Sequence, residues 1–144
     1  MRGASLTRRV RFSATHRYWR PDWDDARNRA TFGACAAPEP HGHDYTCDVT
    51  VGGEVDAATG MVFDLAALDR ILAMHVVTPL HGRSLNDAVS EFRPGGRIPT
   101  CEELARIIAG RVAGALAALP ADARVWSVRV AEDDALSATW TEPG

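Results

Sequence analysis

One segment near the C-terminal end repeats its apolar side chains at the 3.6-residue spacing of an amphipathic helix. Thr100 is a suitable N-cap for this helix, Glu103 stands where a capping box places its second partner, and Pro120 marks the end. The apolar residues on its one face are Leu104, Ile107, Ile108, Val112, Ala115, Leu116 and Leu119. Because such a face must be buried, the helix has to lie against a second layer of structure.

That second layer is predicted by four segments that alternate apolar and polar residues, the period of a half-buried strand. They are residues 6–14, 44–55, 124–132 and 135–142. The first two are expected to pair antiparallel, and the last two to form a hairpin about the turn at Asp133-Asp134, with Trp126, Val128 and Val130 facing inward.

A shorter helix is expected after Asp64, which looks like an N-cap, and is expected to end at Pro79. The aperiodic segments 18–31 and 80–98 are interpreted as loops; the first carries Trp19 and Trp23, which suggests an ordered cover. The order β-β-α-α-β-β predicts an α+β fold, a four-stranded antiparallel sheet with two helices on one face.

A chain of 144 residues is expected to form a single domain, residues 1–144. The net charge of -3 predicts no general attraction to nucleic acid or to anionic membranes. Three cysteines without a Cys-x-x-Cys pair argue against a disulfide framework. With no apolar stretch of signal-peptide or membrane-span length, we expect a soluble cytoplasmic protein.

Three histidines fall where the first two strands meet. His16 follows the first strand, and His41 and His43 open the second. Residues i and i+2 of an extended chain share a face, so antiparallel pairing would bring all three imidazoles to one end of the sheet. Three histidines suit a catalytic zinc site with an open fourth position. The alternative, three histidines without a metal, fits the spacing equally well.

Other polar residues are candidates for chemistry near this cluster. Cys35 would be a useful base or nucleophile if positive charge lowered the pKa of its thiol, and otherwise a small buried hydrophobe. Glu132 breaks the alternation of its strand and places a carboxylate where an apolar residue is due, so it needs a partner such as an arginine or a guanidine-like ligand edge. Thr100 and Glu102 open the last helix, and capping explains both without a ligand.

Several motifs together resemble one known family. They are Phe12-Ser13-Ala14-Thr15-His16-Arg17, Phe32-Gly33-Ala34-Cys35, His41-Gly42-His43-Asp44-Tyr45, Gly60-Met61-Val62-Phe63-Asp64-Leu65, Pro99-Thr100-Cys101-Glu102 and Glu132-Asp133. They are similar to the 6-pyruvoyltetrahydropterin synthases, a family that includes the 6-carboxytetrahydropterin synthases of queuosine biosynthesis. The resemblance implies a tunnelling fold in which three subunits close a β-barrel and two trimers form a hexamer, with active sites between subunits.

The resemblance also implies roles for individual residues. His16, His41 and His43 would hold Zn²⁺, Cys35 would transfer protons, Glu132 would anchor the pterin, and Thr100 and Glu102 would line the pocket. The family substrate is 7,8-dihydroneopterin triphosphate, whose hydroxyls zinc acidifies before triphosphate is eliminated to leave a pyruvoyl side chain. The carboxy-forming branch cleaves the side chain instead, and the long tryptophan-bearing loop is more like that of the pyruvoyl-forming members.

Two departures separate this chain from the family pattern. The family typically has Asp-His in the loop after the first helix, where this chain has His81-Gly82, and Pro40 replaces a glycine before His41. His81 is therefore the candidate for the proton relay with Cys35. The alternatives are a repurposed enzyme acting on another carbonyl or amine substrate, for example in an aldehyde–amine condensation, and a pterin-binding homologue without turnover.

Overall fold

The computed structural model describes residues 3–143 and confirms the α+β class. The strands are β1 (Ala4–His16), β2 (His41–Gly53), β3 (Arg83–Ser84), β4 (Arg124–Ala131) and β5 (Ser137–Thr141). The helices are α1 (Asp25–Phe32), α2 (Leu65–Leu72), α3 (Thr78–Leu80), α4 (Leu85–Ala88) and α5 (Cys101–Ala117). None of the helices in the described part of the chain is long and apolar enough to cross a membrane.

The five strands form one sheet in the order β3-β1-β2-β4-β5. β1 pairs antiparallel with β2 over its whole length, from Ala4 opposite Gly53 to His16 opposite His41. β4 pairs antiparallel with both β2 and β5, so the predicted antiparallel pairing of the four longer strands and the predicted hairpin are confirmed. The predicted strand count is wrong by one, because β3 adds two residues parallel to β1 and is too short to show any alternation.

The core lies between one face of the sheet and the helices, which include α5 against β4 and β5. α5 buries most of its predicted apolar stripe, but Ala115 is only partly buried and Leu119 lies beyond the helix and is exposed. α2 buries Leu68 and Leu72. The predicted N-caps are present: the Thr100 hydroxyl accepts from the Glu103 N–H at 3.1 Å, and the Asp64 carboxylate from the Ala66 N–H at 3.1 Å. The predicted capping box is only half formed, because the Glu103 carboxylate accepts from Arg106 and the Thr100 N–H donates to the Ile98 carbonyl. The sheet residues of the core are Phe12, Ala14, Tyr45, Cys47, Val49, Val51, Val125, Val128 and Val130.

The helical path continues past Pro79, so the predicted end of the first helix is wrong. α2 runs through a π-helical turn, Ala73–Val77, into α3, where Pro79 lacks the N–H that would bond the carbonyl four residues earlier. The carbonyl of His75, four residues before the proline, accepts from Arg111 Nη1 at 3.4 Å. The wider turn and this outside donor accommodate the proline.

The segments predicted as loops contain short regular elements. Residues 18–31 include most of α1, which begins where the Asp24 carboxylate accepts from the Arg27 N–H at 2.8 Å. Asn28 is fully buried, and its side-chain amide bonds the N–H of Arg20 at 2.7 Å and the carbonyl at 3.0 Å. Residues 80–98 include β3, α4 and a 3₁₀ turn, Ser90–Phe92. These elements are too short to show a helical or strand period in the sequence, which is why the segments were predicted as loops.

A β-bulge corrects the predicted inward face of β4. Val51 pairs with Val125 and Thr50 with Ser127, so Trp126 is the extra residue and Val125 takes its predicted place in the core. Trp126 lies instead over Gly52, where an added Cβ would be 1.8 Å from the indole Cε2. Only glycine leaves room for the ring at this position.

We expect Gly52→Ala to destabilise the protein by about 1–3 kcal/mol, because the new methyl group must push a half-buried indole off its packing. Urea denaturation monitored by tryptophan fluorescence measures the change. Gly110→Ala is the matched control, since no atom lies within 4 Å of its added Cβ and alanine favours the helix. Equal stability of the two variants would contradict the packing described for Trp126.

Candidate metal centre and active site

The three candidate histidines converge at one end of the sheet, as the strand pattern predicts. His16 is the last residue of β1, and it pairs with His41 at the start of β2; His43 shares their face. Their nearest nitrogens all lie within 4.8 Å of one another. His16 Nε2 is 3.1 Å from His41 Nε2, and the His16 side chain is completely buried.

Glu132 lies beside this cluster, just past the end of β4, the strand next to β2 in the sheet. It follows β4, where its N–H donates to the Leu136 carbonyl at 3.2 Å across the hairpin turn. Its Oε2 lies 3.3 Å from His43 Nε2 and 3.8 Å from His16 Nε2. The predicted break in alternation therefore marks a buried carboxylate facing the histidines.

The donor atoms fit a metal ion. Among the described residues, His43 Nε2 and Glu132 Oε2 are buried side-chain atoms without a hydrogen-bond partner. A buried polar atom left unpaired costs about 1–3 kcal/mol, and more when charged, so this cluster calls for a further group. Three imidazoles at one point match the ligand set of a catalytic zinc site. In the folded chain the three rings already converge, so no rearrangement of the strands is needed to bring them to one ion.

The electrostatics of His16 favour a neutral ring. Burial, followed by the neighbouring His41 and His43, lowers the pKa of His16 to about 4. At neutral pH the imidazole therefore keeps a lone pair, which metal binding requires.

Two tyrosines pack around His16, and neither was singled out by its sequence context. The Tyr45 hydroxyl is 2.7 Å from His16 Nδ1, and the Tyr45 ring stacks on Phe12 with centroids 5.2 Å apart. The Tyr18 ring lies 4.7 Å from the His16 ring, centroid to centroid. Tyr45 could have been found from its strand position, since it follows His41 and His43 on the same face at the same spacing.

Cys35 lies at the edge of the histidine cluster, half-buried on the 3₁₀ turn Gly33–Ala36. Its Sγ is 3.7 Å from His41 Nε2. The turn is held by the chain just after His16: the Tyr18 N–H donates to the Cys35 carbonyl at 2.8 Å. Local sequence does not require this proximity, which comes from the fold of the intervening segment.

Arg17 fixes the same turn from its other side. Its Nε and Nη2 donate to the Ala36 carbonyl at 3.2 and 3.1 Å, and its guanidinium stacks 4.2 Å above the Trp19 ring. The second tryptophan, Trp23, stacks on Phe32 with centroids 5.6 Å apart. The tryptophan-bearing segment therefore supports the turn that carries Cys35.

Protein charges alone do not activate the Cys35 thiol. Burial, followed by the charge of Glu132, raises the pKa of Cys35 above its ordinary value. Arg17 does not supply the positive charge that a lowered thiol pKa would need, because its guanidinium is directed to the Ala36 carbonyl. A cation held by the histidines is the group that would oppose the effect of Glu132.

The N-terminus of α5 completes the surroundings of Glu132. Thr100 is half-buried and caps the helix, and Glu102 is exposed in its first turn. Between them Cys101 is buried, and burial together with the charges of Glu132 and Glu102 raises the pKa of this thiol to about 12. Cys101 had no chemical signature in the sequence and behaves as a buried apolar side chain.

His81 lies on the outer edge of β1 instead of in the histidine cluster. Its Nδ1 accepts from the Ser13 N–H at 3.0 Å, and the following Gly82 N–H donates to the Ser13 carbonyl at 2.7 Å. Ser13 is three residues before His16, and among residues 3–143 His81 forms no hydrogen bond to Cys35. The predicted pairing of His81 with the thiol is therefore not made within one chain.

The fold and the site define a class of protein: an α+β domain whose mixed, largely antiparallel sheet carries at one end a three-histidine cluster that could hold a metal, with a thiol and a buried carboxylate beside it. A family model described as 6-pyruvoyl tetrahydropterin synthase matches residues 5–143. The chain belongs to the 6-pyruvoyl tetrahydropterin synthase family, whose members are lyases.

Individual relatives agree with this assignment. The 6-pyruvoyl tetrahydrobiopterin synthase of Poecilia reticulata is 36% identical over 121 residues, 83% of this chain and 81% of the relative. The protein of the same name from Pongo abelii is 42% identical over 89 residues, and that match spans 62% of this chain and 61% of the relative's length. The solved structure of Caenorhabditis elegans 6-pyruvoyl tetrahydropterin synthase superposes with a TM-score of 0.86 at 28% identity, covering 97% of this chain and 96% of that one.

Proposed function

We propose that this chain is a zinc-dependent lyase that converts 7,8-dihydroneopterin triphosphate to 6-pyruvoyl- or 6-carboxytetrahydropterin. The observation that supports it best is the convergence of Cys35 and Glu132 on the three-histidine cluster. In this proposal Cys35 is the base, Glu132 is the anchor for the nitrogen-rich ring, and the three histidines hold the metal, all around one substrate pocket. These are the groups that elimination of triphosphate from a pterin side chain needs.

Each of these residues has a role in the proposal. His16, His41 and His43 hold Zn²⁺, which supplies Lewis-acid polarisation of substrate oxygens when bound. The Glu132 carboxylate accepts two hydrogen bonds from the amino-pyrimidinone edge of the pterin, while Thr100 and Glu102 line the same pocket. Cys35 moves a proton at its Sγ to and from the substrate side chain.

His81 is the proposed relay partner, and it would act on the site of a neighbouring subunit. Nδ1 accepts from the Ser13 N–H, so the neutral ring carries its proton on Nε2. The side chain is exposed at the sheet edge, where another copy of the chain could meet it. His81 then replaces the Asp-His pair of the family pattern from one position earlier.

The proposed assembly is a trimer that closes a β-barrel, with two trimers forming a hexamer. β3 covers only Ala14 and Thr15 of the outer edge of β1, and within the described residues the far edge of β5 pairs with no strand. Unpaired edges of this kind are available to a second copy of the sheet. The open face, with the ion pair of Arg9 and Asp48 at 2.6 Å, would then line the barrel interior. Nucleic acid and membranes have no part in this proposal, which places the protein in the cytoplasm.

The decisive experiment incubates the zinc-loaded protein with 7,8-dihydroneopterin triphosphate and follows the release of triphosphate. We expect release, with the product's mass separating the 6-pyruvoyl from the 6-carboxy compound. Pterin that stays bound while no triphosphate appears would contradict the proposed reaction and favour the binding homologue.

A repurposed reaction is the second candidate, and Gly82 is the observation that favours it. Gly82 has φ +73°, carries no side chain, and stands where the family pattern has the relay histidine. A zinc-polarised carbonyl could condense with an amine without that relay. Conversion of an aldehyde and an amine by the zinc-loaded protein, with no turnover of the pterin triphosphate, would support this candidate over the first.

We expect Glu132→Gln to lower the affinity for a pterin by about 10- to 150-fold, because hydrogen bonds to a charged group contribute about 1.5–3 kcal/mol. Titration of the zinc-saturated protein with a fluorescent pterin measures this affinity. Asp134→Asn is the matched control, a charge removed from an exposed neighbour in the same turn. Equal affinities of the two variants would exclude Glu132 as the anchor.

A further inference from the structure

The proposed function leaves one buried polar group at the metal centre without a role, the hydroxyl of Tyr45. Tyr45 is 1% exposed, and its ring is fixed by stacking on Phe12 with an interplanar angle of 15°. Its hydroxyl lies 2.7 Å from His16 Nδ1. This is a hydrogen bond between two side chains that are both shielded from water.

The bond leaves the other nitrogen of His16 facing the cluster. His16 Nε2 is 3.1 Å from His41 Nε2 and 3.8 Å from Glu132 Oε2. In a neutral imidazole one nitrogen carries the proton and the other the lone pair, and the partner of the first decides which nitrogen can bind a metal. The hydrogen-bond partner of Nδ1 therefore determines whether Nε2 has a lone pair available for a metal.

We infer that Tyr45 is a positioning residue for the metal ligand His16, an inference that rests on the proposed zinc site. The His16 Nδ1–H donates a hydrogen bond to the Tyr45 oxygen, which leaves the Nε2 lone pair directed at the metal. The rigid stacking on Phe12 holds the ring angle of His16 through the same bond. Burial strengthens the effect, because a hydrogen bond between two side chains shielded from solvent is stronger than one in water.

Comparison with the other side chains at the cluster distinguishes the pair formed by Tyr45 and His16. Of the three histidines, His16 is the one whose Nδ1 has a hydrogen-bond partner among residues 3–143. Tyr18 also packs against the His16 ring, at a centroid distance of 4.7 Å, but makes no hydrogen bond to it in this part of the chain. The two tyrosines thus differ in the one property that the inference requires, and they form a matched pair for mutation.

The test measures zinc affinity by competition with a chromophoric chelator for Tyr45→Phe and Tyr18→Phe, each confirmed to be folded by circular dichroism and thermal unfolding. Loss of an outer-shell partner typically lowers metal affinity by about 10- to 100-fold, which is the decrease we expect for Tyr45→Phe. Tyr18→Phe should bind zinc as the wild type does. Unchanged affinity in Tyr45→Phe would overturn the inference.

A second measurement needs no mutant and decides the matter if Tyr45→Phe fails to fold. Long-range ¹H–¹⁵N correlation spectra of the wild type before zinc is added should already show the His16 proton on Nδ1, because zinc bound at Nε2 would place it there in any case. A proton on Nε2 would overturn the role of Tyr45 while leaving the zinc site intact. A wild type that binds no zinc would instead overturn the proposed metal centre, and this inference with it.

Discussion

His16→Ala is expected to lose bound zinc and, with it, the release of triphosphate. His16 is completely buried and supplies one of the three nitrogens that lie within 4.8 Å of one another. Removing a ligand should weaken metal affinity by more than the roughly 100-fold that loss of an outer-shell partner can cost. Elemental analysis of the purified variant and a zinc titration measure the loss, and a triphosphate assay measures its consequence.

Two further variants separate metal loss from damage to the core. His41→Ala removes a half-exposed ligand from the same cluster, so it should lose zinc with a smaller change in thermal stability. His75→Ala is the control, a half-buried histidine on the π-helical turn outside the cluster, and it should keep wild-type zinc content. Full turnover by His16→Ala without bound metal would contradict the proposed mechanism. Chelator-treated wild type should recover activity when zinc is returned.

The convergence of the three histidines is the part of the site that sequence reasoning predicts well. Alternation assigns a face to every residue of β1 and β2, and antiparallel pairing then decides which ends meet. His16 and His41 are partners in the observed register, and His43 shares their face two residues along. Glu132 was predicted by the same logic, since a carboxylate in an inward position signals either strain or a function, and the structure places it against His43.

Features that depend on a single local exception were not predictable. The bulge at Trp126 shifts by one residue which side chains of β4 face the core. The sequence 124–132 alternates as that of an ordinary strand would and gives no sign of the bulge. The π-helical turn lets the helix pass Pro79, although a proline normally ends a helix. Asn28 organises its segment through side-chain bonds to the backbone, which no periodicity reveals.

The hydrogen-bond partners of the candidate residues could not be predicted from the sequence either. The position of Cys35 beside His41 depends on the turn that Tyr18 and Arg17 hold, and these contacts are between residues 17–19 apart. His81 was a candidate for the relay from its place in the loop, yet its bond to Ser13 holds it at a sheet edge. The position of a residue in a motif therefore indicates its chemical role. Its tertiary contacts determine whether it acts on the site of its own chain or on that of a neighbouring subunit.

Cys35→Ala is expected to lower kcat for triphosphate release by about 10²- to 10⁴-fold, the usual contribution of a positioned acid or base. Zinc binding should survive, because the metal-binding set consists of the three histidines and Cys35 Sγ lies 3.7 Å from His41 Nε2. A loss of rate at unchanged zinc content separates this residue from His16. Steady-state kinetics and elemental analysis on one preparation give both values.

Cys47→Ala is the matched control, since it removes a thiol from β2 at a fully buried position in the core, outside the site. Its stability should fall because a cavity forms, while kcat stays at the wild-type value. Cys35→Ser adds a further distinction: a hydroxyl fills the same space but is a far weaker acid than a thiol, so its rate should stay close to that of Cys35→Ala. Turnover of the pterin triphosphate that survives Cys35→Ala would assign the proton transfer to another group, and His81 of a neighbouring subunit would be the next to replace.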